Sequence, residues 1–176
     1  MGRIAEAIST LRRCLQSAPG FLLGYSVFGH LLESVHGRER EAEGVYAHAI
    51  GTYFDHPDAW VNLASLLVQT GRISDAIGVL RQGMAGGPEG KFRKPREDPS
   101  VLMLLGYLLH LRGHAAEPTS LYMLALGCGG GPVASYLLGR ISTETGQPYK
   151  LRGPKSKILN PQLNPFRFEY TIGPKP

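Results

Sequence analysis

The stretch Gly71-Arg72-Ile73-Ser74-Asp75-Ala76-Ile77 has two counterparts upstream, Gly2-Arg3-Ile4-Ala5-Glu6-Ala7-Ile8 and Gly37-Arg38-Glu39-Arg40-Glu41-Ala42-Glu43, whose leading glycines lie 35 and 34 residues apart. A weaker copy, Gly113-His114-Ala115-Ala116-Glu117-Pro118, follows 42 residues after Gly71, and Gly146 stands 33 residues further on. Recurrence at a near-fixed interval constrains this chain more than any composition figure. Each copy must form the same small unit, and each unit must bury its apolar face against the next. The excess spacing before Gly113 matches a basic insert around Lys91 to Glu97.

The residues on either side of the glycines read as helices. Trp60, Leu63, Ala64 and Leu67 form an i, i+3, i+4, i+7 stripe, and a second stripe of Ile73, Ala76, Ile77 and Leu80 follows Gly71. Glycine accepts a positive φ at little cost and so ends the first helix in a tight turn. The expected unit is helix, turn, helix.

This pattern resembles the tetratricopeptide repeat family. The best copy runs from Pro57 to Pro88, with Trp60, Leu63, Ala64, Leu67, Gly71, Ala76, Leu80, Gly83 and Pro88 on the family's large, small and terminating positions. A copy from about Leu22 fits with one extra residue (Tyr25, Phe28, Gly29, Leu32, Gly37, Ala42, Tyr46, Ala49). A third, from Pro99, carries Leu102, Leu105, Gly106, Leu109, Gly113, Tyr122 and Ala125. It departs from the pattern at Pro118. Proline is tolerated only in the first turn of a helix, so that helix is expected to start late. Gly2 to Pro19 matches only a second helix, and Pro132 to Gly146 only a first one. The resemblance implies an all-α fold: a short right-handed solenoid of antiparallel helix pairs, about three full units with a half-unit at each end. Trp60, Leu63, Leu67, Tyr25, Phe28, Leu105 and Tyr122 would hold it together. Uncapped solenoid ends are a liability in water, so another chain or the chain's own tail is expected to cover at least one.

The expected organisation is a helical-repeat domain over residues 1–146, with the basic insert at 89–97, and an extended tail over 147–176. The tail holds six prolines, which oppose helix and central strand. It also carries Ile158, Leu159, Leu163, Phe166, Phe168, Tyr170 and Ile172. Phe166-Arg167-Phe168-Glu169-Tyr170 alternates as a short strand would. An aromatic, basic, extended segment suits a surface to lie along, either a partner's or the solenoid's own.

Charge is unevenly placed. The formal net charge is +5, yet residues 1–90 carry seven Lys/Arg against nine Asp/Glu, residues 91–97 four against one, residues 98–146 two against three, and residues 147–176 six against one. The basic character therefore sits in the insert and the tail, where it suits phosphates or an acidic surface. With 43% hydrophobic residues the chain is not of the disordered class. Cys14 and Cys128, its 2 cysteines, cannot by themselves form a disulfide scaffold or a four-cysteine zinc site. No apolar run reaches the roughly 18 residues of a membrane span, and residues 1–20 lack the apolar core of a secretory signal. An intracellular chain is expected, with its compartment open.

The chemistry-bearing motifs read mostly as structure. Leu126-Gly127-Cys128-Gly129-Gly130-Gly131 resembles the glycine-rich turn of S-adenosylmethionine-dependent methyltransferases, but Tyr122 to Leu126 continues a helical stripe and few carboxylates follow. An inter-repeat turn is expected instead. His110 and His114 have metal-ligand spacing, yet Gly113 falls between them at a turn, so packing or surface histidines are expected. Glu39, Glu41 and Glu43, interleaved with Arg38 and Arg40, read as a solvated first turn favoured by the helix dipole. No nucleophilic triad spacing appears, and neither catalysis nor a cofactor or metal is expected.

Some members of the resembling family clamp a peptide carboxylate with Lys, Arg and Asn on the inner faces of their first helices. The matching positions here hold Val61, Asn62 and Ser65 in one copy and Met103, Leu104 and Tyr107 in another, so only Asn62 survives. An apolar helix or extended peptide suits this face better than an acidic terminus. The expected function is a non-catalytic protein–protein interaction scaffold or adaptor, held as a fixed subunit of a larger assembly, with Asn62, Phe166, Phe168 and Tyr170 in contact. The alternative is an RNA-associated subunit using Lys91, Arg93, Lys94 and Arg96 with the basic tail.

Overall fold

The computed structural model describes residues 2–86 and 97–146. They form eight helices and no strand: α1 (Gly2–Ser17), α2 (Leu22–Glu33), α3 (Glu39–Thr52), α4 (Pro57–Gln69), α5 (Ile73–Met84), α6 (Pro99–Leu111), α7 (Ala116–Gly127) and α8 (Gly131–Thr145). The closest-packed pairs are α2 with α3, α4 with α5, and α6 with α7, as the repeat requires. Apart from Glu97, the basic insert lies outside the described residues, and so does the whole tail.

Local chemistry sets the helix ends. Pro57 and Pro99 open α4 and α6, where a missing N–H costs nothing. Asp98 caps α6 by accepting from the backbone N–H groups of Ser100 at 2.9 Å and Val101 at 3.4 Å. At the end of α4, Gly71 takes φ +79°. Its N–H donates to the Val68 carbonyl at 3.0 Å and that of Arg72 to the Leu67 carbonyl at 2.7 Å, closing the last turn. Gly113 repeats the arrangement at φ +82°. In the first unit the extra residue lengthens the turn between α2 and α3 to Ser34–Arg38, with Gly37 at φ +85°. Helix α7 starts three residues after Gly113, against two after Gly37 and Gly71 for α3 and α5, and Pro118 sits in its first turn. The late start holds.

Close approach of paired helices depends on aromatic rings laid on glycines. A Cβ on Gly29 of α2 would lie 2.2 Å from the Tyr46 ring of α3, and one on Gly106 of α6 would lie 2.5 Å from the Tyr122 ring of α7. The central unit reverses the roles, with Trp60 of α4 against Gly83 of α5. Trp60 is fixed further by its indole N–H, which donates to the Phe54 carbonyl at 2.9 Å, and by an edge-on contact with the Phe54 ring. Trp60, Leu63, Leu67, Tyr25, Phe28, Leu105 and Tyr122 are all buried.

At the ends, α1 lays Ile8 and Leu15 against α2, with half-buried Leu11 packed beside them, and leaves Ile4 exposed. At the other end α8 buries Leu138 and Ile141 against α7 and α6. The glycine run before α8 is a turn between helices, as expected: α7 precedes it, Gly129 takes φ +96°, and a Cβ on Gly130 would lie 2.7 Å from the Ala125 carbonyl oxygen.

Candidate functional site

The two kinds of helix present different surfaces. The first helices of successive units touch directly, α2 on α4, α4 on α6 and α6 on α8, whereas the second helices α3, α5 and α7 stand apart. The row therefore bends toward its first helices, which line the inner face.

The outer face is held by ion pairs between successive second helices. Arg12 of α1 pairs with Glu41 of α3. Glu43 of α3 pairs at 2.7 Å with Arg72, just before α5, and Arg72 also holds Asp75 at 2.8 Å. Arg81 of α5 pairs with Glu117 of α7 at 3.0 Å. This corrects the reading of Glu41 and Glu43 as plainly solvated: each bridges to a residue 29 positions away in the sequence. The carboxyl of Glu39 is held below its ordinary range, because backbone N–H groups at the helix start, its own and that of Gly37, hydrogen-bond to it.

The inner face carries a row of exposed apolar side chains. Leu23 is 64% exposed, Leu111 58%, Val133 55% and Tyr136 52%, and Val27 and Tyr107 are exposed as well. All six lie on the first helices α2, α6 and α8. Half-buried Met103, Leu104 and Leu137 continue the strip toward the core. Single exposed apolar residues mean little, but a row of them along one curved face marks an interaction surface.

Polar groups between the first helices are used up in holding the row. Asn62 of α4 is half-buried, and its amide donates to the Ser26 hydroxyl of α2 at 3.3 Å. His110 of α6, only 16% exposed in its side chain, meets the Glu144 carboxylate of α8 at 2.6 Å, and Arg140 adds a second contact to Glu144 at 3.2 Å. Hydrogen bonding to His110, then to Arg140, holds the Glu144 carboxyl below its ordinary range. His114 lies beyond the turn at Gly113, and no group of three His, Cys, Asp or Glu side chains able to hold a metal occurs among the described residues.

Of the residues expected to contact a partner, only Asn62 lies in the described part; Lys91, Arg93, Lys94, Arg96, Phe166, Phe168 and Tyr170 fall outside it. The inner-face positions Val61, Ser65, Met103, Leu104 and Tyr107 were legible from the repeat. Leu23, Val27, Leu111, Val133 and Tyr136 were missed. Their signal was a surplus: α6 carries more apolar residues than one buried stripe can use.

Two hollows lie elsewhere. One of about 470 Å³, mostly apolar, opens between α1, α2 and α3 and is lined by Arg12, Leu15, Tyr25, Phe28, Val45 and His48. The other, about 600 Å³, lies at the turns of the first two units and is ringed by Glu33, Glu39, Glu43, Arg40 and Arg72. No helix among the described residues is long and apolar enough to cross a membrane.

No protein-family model matches the chain, and neither does any curated protein. Solved structures do. One of MamA aligns with TM-score 0.60 at 16% identity, covering 83% of this chain and 75% of that one. A second MamA structure gives TM-score 0.61 at 16% identity, over 83% of this chain and 81% of that one. YrrB, described as a TPR protein with an unusual peptide-binding site, gives TM-score 0.56 at 16% identity, over 83% of this chain and 71% of its own. At such identities the likeness concerns fold alone, and it agrees with the repeat spacing, the helix pairing and the turn glycines: the chain folds as a tetratricopeptide-like helical repeat.

Proposed function

We propose that the chain is a non-catalytic protein–protein interaction scaffold whose inner face takes an apolar helix or extended segment of another protein. The observation that carries this reading is the exposed strip of Leu23, Val27, Tyr107, Leu111, Val133 and Tyr136 on the first helices, opposite an outer face crossed by ion pairs. An apolar groove recognises side-chain anchors at helical or alternating spacing. Asn62, already bonded to Ser26, acts in this reading as a strut between helices more than as a clamp for a carboxylate. YrrB supports the reading as a helical repeat with a peptide-binding site of its own. Each of α2, α6 and α8 carries two exposed residues of the strip, but only α6 and α8 are neighbours, so the main contact is assigned to the C-terminal half, around Leu104, Tyr107, Leu111, Val133 and Tyr136. A buried apolar interface of this kind suits a fixed subunit of an assembly.

The test is affinity capture from native extract with the full chain and with Y107K/V133K, their folding compared by circular dichroism. Loss of the captured proteins with helicity unchanged supports the inner face; unchanged capture refutes it. Retention that collapses steeply as salt rises would point to phosphate contacts instead.

A further inference from the structure

The inner strip and the tail are chemically matched. The first helices run parallel, since each is joined to its successor through an antiparallel partner. Arg112 after α6 donates to the Ser74 hydroxyl at 2.6 Å, which sets the turns of neighbouring units side by side. The ends of α2, α4, α6 and α8 therefore share one edge, and Gly146, the C-cap of α8 at φ +65°, lies on it. Glu144, two residues before Gly146, meets His110 at the end of the neighbouring α6, and thirty residues, 147–176, follow in the sequence.

Length and charge are both sufficient. Phe166 stands twenty residues after Gly146, a reach of up to about 66 Å for extended chain. The four first helices, at about 8–10 Å between axes, span about 30 Å. The described residues carry nine Lys/Arg against twelve Asp/Glu, whereas the tail carries six against one. In an extended strand Phe166, Phe168 and Tyr170 face one way while Arg167 and Glu169 face the other. Such a strand would present three aromatic rings to an apolar groove and keep its charges in water.

We propose that the chain's own tail, through Phe166, Phe168 and Tyr170, occupies the inner strip at Tyr107, Leu111, Val133 and Tyr136, so that a partner protein must displace it. This rests on the inner face being the binding surface and adds an occupant that regulates access to it. Tethering supplies an effective concentration on the order of millimolar, so a segment that binds in trans at about 100 μM would block the groove about tenfold in cis.

The probe is a fluorescein-labelled peptide of residues 161–174, titrated by anisotropy against the full chain and against F166S/F168S/Y170S. These substitutions lie outside the helical repeat and leave its folding intact. The peptide is expected to bind the triple variant about tenfold more tightly than the parent chain, and to lose that binding when Y107K is added. Equal affinity for both chains, or binding to neither, overturns the proposal. A photoreactive phenylalanine analogue in place of Tyr107, with isotope-labelled and unlabelled full chains mixed, identifies the occupant. Links to the tail of the same chain support it; links between labelled and unlabelled copies, or none to the tail, overturn it. If the tail fails these tests while Y107K/V133K still abolishes partner capture, only the self-occupancy falls.

Discussion

Replacing Gly106 with alanine tests the packing of the third unit directly. A Cβ there would lie 2.5, 3.0 and 3.1 Å from three carbons of the Tyr122 ring, where carbon atoms prefer about 3.5–4.0 Å. The ring must retreat by about 1 Å, and it has nowhere to go: Tyr122 is fully buried, with Leu138, Ile141, Met103 and Leu126 packed around it. Overpacking of this kind costs about 1–3 kcal/mol, while alanine in place of a mid-helix glycine returns about 1 kcal/mol. The enclosure places the clash in the upper part of its range, so G106A should destabilise by about 1–2 kcal/mol. Urea unfolding followed by circular dichroism measures it. In a Y122L background the obstruction is gone, and the same alanine should become stabilising by about 1 kcal/mol. Gly78 on α5, whose Cβ would meet nothing within 4 Å, is the control and should gain a similar amount on its own. Should G106A stabilise the parent chain, or cost the same with and without Tyr122, ring-on-glycine packing is not what sets the approach of α6 and α7.

Three further outcomes follow. Y122F should stabilise the fold by about 1 kcal/mol, because the hydroxyl is buried with no hydrogen-bond partner among the described residues, whereas Y46F should destabilise it by about 1.5–3 kcal/mol by removing the bond to the Glu33 carboxylate; paired unfolding curves compare the two. Burial pushes the Tyr122 hydroxyl up to about 12, and burial together with Glu33 pushes Tyr46 higher still. Both are neutral in the fold, so stability is whole below the ordinary tyrosine value of about 10 and should fall as pH rises past it, while phenolate absorbance lags for these two of the 8 tyrosines. The Glu144 carboxyl is held low, so its contribution should be whole above the ordinary glutamate value and lost as pH falls through the lowered one; E144Q should flatten that acid limb of a thermal-melt series.

What the sequence made legible was whatever repeats locally. Glycines spaced about one unit apart announced the turns, and Gly37, Gly71 and Gly113 do take a positive φ that other residues avoid. Pro118 announced a late helix start because proline has only one comfortable place in a helix. The contacts that join one unit to the next were hidden. Arg12 with Glu41, and Glu43 with Arg72, lie 29 residues apart, and nothing in a single copy tells a carboxylate that will meet a neighbour's guanidinium from one left in water. Asn62 was legible as an inner-face polar group but not as one that meets Ser26, for the same reason.

Five members of the exposed apolar strip, Leu23, Val27, Leu111, Val133 and Tyr136, escaped notice for a different reason, and that reason bears on function. In α6 the core takes Val101, Leu102, Leu105, Leu108 and Leu109, which is all that one buried face needs. Met103 and Leu104 lie half-buried at its edge and Tyr107 and Leu111 are left exposed, and a surplus apolar residue such as Leu111 looks like core to a reading of periodicity. Only the helix pairing tells the two stripes apart, because it shows which face is already covered. The central helix α4 has the same scaffold positions, yet holds Asn62 and Ser65 where α6 holds Leu104 and Tyr107. Both helices belong to one fold with one packing problem, so packing does not account for the difference. The exposed surface of Tyr107 and Leu111 is covered by nothing within the described residues; burying these two side chains against another surface would contribute up to about 1.5–3 kcal/mol each. It is the adjacency of exposed apolar residues on α6 and α8, with none on α4 to join them to those of α2, that supports the proposed contact in the C-terminal half.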